Sequence, residues 1–294
     1  MAEKSSSLPI ALTIAGLDPS GGAGILADVR AFAAFGCFPT AAITSLTFQN
    51  TTGVVGAVHQ SGETVRAQVL PIIEDFAVDC AKTGMLPTRE VIAAVARLFR
   101  EAALPAPVVD PVMRATCGDD LIDDDAVSCL VSELFPLARL VTPNIPEAER
   151  LTGLTIVDEE GMSEAAQMIR AMGARAVLVK GGHLGSRTPS PSTELAENVL
   201  ALESKGPSRE AIDVLNLEGR IIAFRAEMIG GREIHGSGCT LSAAIAACLG
   251  RGMDLEESVD AAKRFITAAI KTSPAIGHGA RPLFFDPRTS KVDE

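Results

Sequence analysis

His235-Gly236-Ser237-Gly238-Cys239-Thr240 runs straight into the apolar stretch Leu241 to Leu249 and places a thiol at the start of a predicted helix. Glycines let successive backbone amides turn toward one point, and a helix beginning there adds unpaired N–H groups and a positive dipole end. Such a turn can hold an anion. Cys239 at this terminus is expected to have a lowered pKa and to act as a thiolate base or nucleophile near neutral pH. A small buried cysteine after a glycine turn is the plainer alternative.

Other segments carry complementary chemistry. Gly16-Leu17-Asp18-Pro19-Ser20-Gly21-Gly22-Ala23-Gly24 is a glycine loop suited to close approach of a ligand. Within it, Gly22, Gly24 and Ala27 match a loose dinucleotide pattern. The glycines come late, however, and no acidic residue stands near the end of the second strand to hold a ribose. Asp28, on the following helix, reads as a solvated position or a first-turn acid favoured by the dipole. Gln49 and Asn50 could hydrogen-bond a polar heterocycle. Asn144-Ile145-Pro146-Glu147 has the form of a capping box, and Glu147 with Asp110 could also hold Mg²⁺ through one or two carboxylates and water. Lys180-Gly181-Gly182-His183 offers a cation at a strand end, placed to meet phosphate or to cap the sheet in solvent. His183 and His278 have no partner at transition-metal spacing.

These residues need a scaffold, and the chain alternates short β-rich runs with helical periods. Strands are predicted over Ile10 to Ala15, Thr40 to Thr47, Val78 to Lys82, Val108 to Asp110, Leu140 to Thr142 and Ala176 to Lys180. Helices are predicted over Gly24 to Phe35, Glu63 to Glu74, Arg89 to Ala103, Asp124 to Leu134, Ile145 to Leu151, Ser163 to Met172, Cys239 to Leu249 and Leu255 to Thr272. That rhythm implies an α/β fold with a parallel sheet covered on both faces. Gly16, Gly84, Asp110, Asn144 and Gly181 each follow a predicted strand end, the edge where open α/β sheets bind ligands. Leu184 to Pro207 reads as a surface insertion within a single domain spanning residues 9–285. Polar tails cover residues 1–8 and 286–294.

Composition narrows the partners. The 294 residues carry a formal charge of −11 and contain neither Tyr nor Trp. The charge argues against nucleic acid and anionic membrane, and the missing rings remove the usual base-stacking platforms. Six cysteines form no C-x-x-C pair. Met1 to Pro9 has no apolar core of a secretory leader, so a cytoplasmic protein with reduced thiols is expected.

In combination the motifs are specific. Ala15 to Gly24, Gln49-Asn50, Thr83-Gly84-Met85-Leu86, Asp110-Pro111-Val112-Met113, Thr142-Pro143-Asn144, Pro146-Glu147, Lys180-Gly181-Gly182-His183 and His235 to Thr240 occur in this order. In these segments the chain resembles the hydroxymethylpyrimidine/phosphomethylpyrimidine kinases of thiamine biosynthesis, in the ribokinase-like superfamily. The resemblance implies a three-layer α/β/α domain with a mostly parallel central sheet, ATP as donor and Mg²⁺ as helper. It implies phosphorylation of the hydroxymethyl group of 4-amino-5-hydroxymethyl-2-methylpyrimidine, then of the monophosphate, by a homodimer. It places Gly16, Asp28, Gln49, Met85 and Val112 around the pyrimidine. Asp110, Thr142, Asn144, Glu147 and Lys180 would surround ATP, with Asp110 and Glu147 on the metal. Gly236, Ser237, Gly238 and Cys239 would be catalytic, the amides facing the moving phosphoryl group and Cys239 accepting the hydroxymethyl proton. The chain departs from the family at Arg114-Ala115-Thr116-Cys117, where a lysine is usual, at Leu17, where a hydroxyl is usual, and at Ser237, where Thr is common. Alternative readings are a pyridoxal or pyridoxine kinase, a cysteine hydrolase pairing Cys239 with His235, and a non-catalytic pyrimidine sensor.

Overall fold

In the computed structural model, which describes residues 8–114, 121–182, 210–229 and 234–285, the chain opens with β1 (Ile10–Leu17). Its interior positions are buried on both faces, as suits a strand covered by helices above and below. It lies between β2 (Phe38–Asn50) and β4 (Cys80–Thr83), parallel to both. β3 (Gly53–His59) folds back antiparallel on β2. β5 (Val108–Val109), β6 (Leu140–Val141) and β7 (Ala176–Gly181) continue the parallel array. β8 (Glu210–Leu217) and β9 (Arg220–Glu227) complete it antiparallel, giving nine strands among the described residues in the order β3-β2-β1-β4-β5-β6-β7-β8-β9. A separate parallel pair joins β10 (Ile234–His235) to β11 (Arg281–Pro282).

Strand alternation sorts the core into two layers. Leu12, Ile14, Val109, Val141 and Val179 face α2 (Gly62–Asp75), α3 (Arg89–Glu101), α4 (Asp124–Cys129), α5 (Ile145–Thr152) and α6 (Glu159–Ala171). Ala11, Val108, Leu140 and Leu178 face α1 (Gly24–Ala34), α7 (Ser237–Gly250) and α8 (Leu255–Lys271). This is the three-layer α/β/α arrangement expected. Thr88, Asp158 and Asp254 cap α3, α6 and α8 by accepting from Val91, Gly161 and Glu257 amides, which explains why these helices begin where they do. α7 differs: Thr240 through Cys248 are all buried, so it is a core helix rather than an amphipathic one.

Several expectations are corrected. β3, β8 and β9 were not predicted. The β8–β9 hairpin turns at Glu218 and Gly219, both with positive φ (54° and 91°), a geometry matching the right-handed twist of paired strands. The continuous helix expected over Asp124 to Leu134 gives way after Cys129 to a π turn and then a 3₁₀ turn. Pro136 has no N–H to donate and cannot prolong an α-helix there. Gly16, Gln49, Asn50 and Gly181 lie inside strands, not beyond them. The expected insertion over Leu184 to Pro207, His183 and Cys117 lie outside the described residues. No helix among the described residues is long and apolar enough to cross a membrane.

Candidate active site

A single parity rule builds the site. Cys80, Val108, Leu140, Leu178 and Leu215 all face the α1/α7/α8 layer. Two residues along each strand, on the same face, stand Lys82, Asp110, Thr142, Lys180 and Asp213. The backbone steps them into line, with Lys82 opposite Val108 and Lys180 opposite Asp213. A row of charged side chains therefore crosses the sheet toward the start of α7, and pairing neutralises it. Asp28 on α1 meets Lys82 at 2.9 and 3.0 Å, both side chains fully buried. Lys180 donates to Asp110 at 2.7 Å, and Lys263 on α8 donates to Asp213 at 2.6 Å.

Above this row opens a cavity of about 1260 Å³. Sites for one small molecule commonly run to about 300–1,000 Å³, so two reactants fit side by side. Gly16, Gln49, Met85 and Val112 line it, and Leu17 and Arg114 join them. The Thr44 hydroxyl donates to the Met85 carbonyl at 2.6 Å and fixes that wall. Asp110, Asn144, Glu147 and Lys180 line the adjoining region with Gly236, Ser237, Gly238 and Cys239. Gly236 is the N-cap of α7 at φ +79°, and no side chain caps the helix, so its first amides face the cavity unclaimed by a capping oxygen.

Two expected lining residues stand behind the wall instead. Asp28 is fully buried against Lys82 and the Thr13 hydroxyl, which donates to it at 2.7 Å; it is neither solvated nor on the cavity surface. Thr142 is fully buried and its hydroxyl donates to Asp110 at 3.3 Å. Thr142 belongs to the strand row and Asp28 to the helix packed on it, and both lie beneath the cavity surface.

The thiol also departs from expectation. Burial pushes Cys239 up to about 12, with Asp110 and Asp28 adding to the effect and Lys82 and Lys180 opposing it. The helix terminus does not overcome desolvation, so the resting group is S–H, which donates to Asp110. Burial works to raise Asp110 too, yet the ammonium groups of Lys180 and Lys82 hold it below the usual carboxylate range. Glu147 goes the other way: burial pushes it up to about 7, against the pull of Lys180. Asn144 and Glu147 form the full capping box, Glu147 accepting from the Asn144 amide at 2.8 Å and donating its own amide to Asn144 at 2.9 Å.

Reading the sequence missed Lys82, Asp18, Asp213 and Lys263. A lysine within Cys80-Ala81-Lys82-Thr83 was the available signal: a charge inside a central strand requires a buried partner. His235 was noted only as a partner for Cys239; its Nε2 instead meets Asp18 at 2.8 Å.

Residues 18–284 match the model of the phosphomethylpyrimidine kinase family. The hydroxymethylpyrimidine/phosphomethylpyrimidine kinase of Rhizobium meliloti strain 1021 is 44% identical over 277 residues, covering 93% of this chain and 96% of that protein. The thiamine biosynthesis bifunctional protein ThiED of Geobacter sulfurreducens is 44% identical over 272 residues, 92% of this chain; the chain spans about half, 51%, of that relative. The crystal structure of an ADP complex of Bacillus subtilis pyridoxal kinase superposes with a TM-score of 0.79 at 35% identity, covering 94% of this chain and 97% of that one.

Proposed function

Since this chain belongs to the phosphomethylpyrimidine kinase family, we propose that it moves the terminal phosphoryl group of ATP onto the hydroxymethyl oxygen of 4-amino-5-hydroxymethyl-2-methylpyrimidine, and then phosphorylates the monophosphate. The enzyme is a phosphotransferase of thiamine biosynthesis. One observation carries the reading of the site: the uncapped start of α7, holding Cys239, meets the Asp110–Lys180 pair on the wall of a cavity roomy enough for both reactants.

Phosphoryl transfer asks the protein chiefly to position reactants and to balance negative charge. Gly16, Met85 and Val112 would enclose the pyrimidine ring, with the Gln49 amide available to its polar edge. Asp28 would act through Lys82 rather than by contact. The Gly236, Ser237, Gly238 and Cys239 amides would face the transferred group, in the manner of an oxyanion hole. Lys180 and Asn144 would meet the nucleotide, and Thr142 would hold Asp110 in place. The bond from phosphorus to the ADP oxygen breaks, the bond to the hydroxymethyl oxygen forms, and the hydroxyl proton passes to the Cys239 sulfur in its thiolate form, the minor state left when the resting S–H has given its own proton to solvent.

Asp110 and Glu147 suit Mg²⁺, because two carboxylates on one cavity wall present a hard, oxygen-only donor set that leaves positions for phosphate and water. When bound, the ion would neutralise phosphate charge. A homodimer in the cytoplasm, each protomer one domain over residues 9–285, completes the proposal. Five cysteines are free among the described residues, in keeping with a reducing compartment.

An ADP-release assay over the pyrimidine alcohol, its monophosphate and pyridoxal tests this directly, with light scattering for the dimer. ADP should appear with both pyrimidines at higher kcat/KM than with pyridoxal. A preference for pyridoxal would make the protein a pyridoxal kinase, and binding without ADP release would make it a sensor.

A further inference from the structure

Asp18 is 1% exposed, yet both of its carboxylate oxygens are occupied. Oδ1 accepts from the Ser20 amide at 2.8 Å and the Ser20 hydroxyl at 2.7 Å. Oδ2 accepts from the Ala23 amide at 2.8 Å and meets His235 Nε2 at the same distance. The loop after β1 is thus wound around one carboxylate, and a bridge between Leu17 and Gly24 closes its base. His235 immediately precedes Gly236, the N-cap of α7. A Cβ at Gly22 would strike the His235 ring, and one at Gly236 would strike the Gly22 carbonyl oxygen. Arg30 adds a brace, donating to the carbonyls of Gly21 and of Leu283 beside β11.

Loop and turn, 217 residues apart in the chain, therefore meet backbone to backbone around one polar pair. The loop continues the strand that supplies Gly16 and Leu17 to the acceptor wall; the turn supplies the amides and the thiol on the phosphate side. We propose that Asp18 and His235 are a positioning pair that sets the distance between acceptor and donor, holding the two walls of the cavity as one rigid piece. Neither needs to touch a reactant. The inference rests on the kinase reading above, because it assigns the two walls to the two reactants.

Transfer demands reacting atoms about 3–3.5 Å apart, and a displacement of about 1 Å can cost about 10²-fold in rate. Asp18→Ala and His235→Ala should each lower kcat by about 10- to 100-fold, with the KM for each substrate changed less than about threefold. The double variant should be no slower than the slower single one, because one strut can be broken only once. His235→Gln, which keeps a donor amide, should recover about tenfold over His235→Ala. Amide hydrogen exchange on the same proteins gives a readout independent of turnover. In either alanine variant, peptides covering residues 16–24 and 234–240 should both exchange faster, while the remaining sheet keeps its protection.

Losses that multiply in the double variant, losses confined to KM, or faster exchange only in the substituted segment would each overturn the pair. Faster exchange throughout the sheet would do the same, by showing a general structural role. A wild-type protein that phosphorylates no alcohol would defeat the kinase reading, and the exchange result would still decide whether loop and turn are coupled.

Discussion

At the scale of single residues, the decisive balance is between burial and charge around Cys239. Burial wins, and a thiol raised to about 12 makes the thiolate scarce at neutral pH. If the sulfur accepts the acceptor's proton, kcat should climb about tenfold per pH unit between roughly pH 7 and 10, following the thiolate fraction. Cys239→Ala should be about 10²–10⁴-fold slower, with a flat profile over that range. A wild-type profile already level at pH 7 would show that the thiol is not the base. Lys82 poses the opposite problem, being a fully buried cation matched by Asp28. Lys82→Met should destabilise the fold by about 3–5 kcal/mol, because it strands the Asp28 charge; chemical denaturation measures this, and Asp28→Asn added to it should recover part of the loss. Neither pairing was legible in the sequence. Lys82 and Asp28 are 54 residues apart, and only the strand order β2-β1-β4 with α1 laid across it brings them together.

Elements were easier to read than their partners. α3, α5 and α8 announce themselves through apolar spacing, and α5 also through Asn144 at its start, whereas α6 begins at Glu159, four residues ahead of the expected Ser163, because Asp158 caps it there. Parallel strands were visible as apolar runs before Gly84, Asp110 and Asn144. The antiparallel strands were not, because Glu210–Leu217 carries Asp213 and Asn216 within its buried run and Arg220–Glu227 mixes charges with apolar residues on an edge that solvent reaches. The capping box at α5 was legible and has an energetic consequence of its own. Asn144→Ala should cost about 0.5–2 kcal/mol of stability. It should also weaken nucleotide affinity, since the Asn144 side chain leaves the cavity wall and the Glu147 backbone amide loses its acceptor; calorimetric titration with ADP checks the second part. Unchanged affinity would confine Asn144 to a purely local role.

For the whole molecule, sheet and site are one construction. The charged row is simply the continuation of the apolar face that buries α1, α7 and α8, so the fold class, the layer and the carboxyl edge could all be inferred from alternation alone. What neither alternation nor the family resemblance could reveal is depth: the resemblance put Asp28 and Thr142 around the reactants, and both lie buried beneath the cavity surface. The burial of α7 from Thr240 to Cys248 carries a last consequence. The proposed anion-binding cup is the first turn of the most enclosed helix on its side of the sheet, with no hinge between them. Heat should therefore abolish turnover and melt the protein at one and the same temperature, with no inactive but still folded interval. Saturating that cup at about 100 times its dissociation constant should add about 2.7 kcal/mol to the protein's resistance to unfolding, a gain felt as far away as the helix's other end, where Gly250 packs on Cys80.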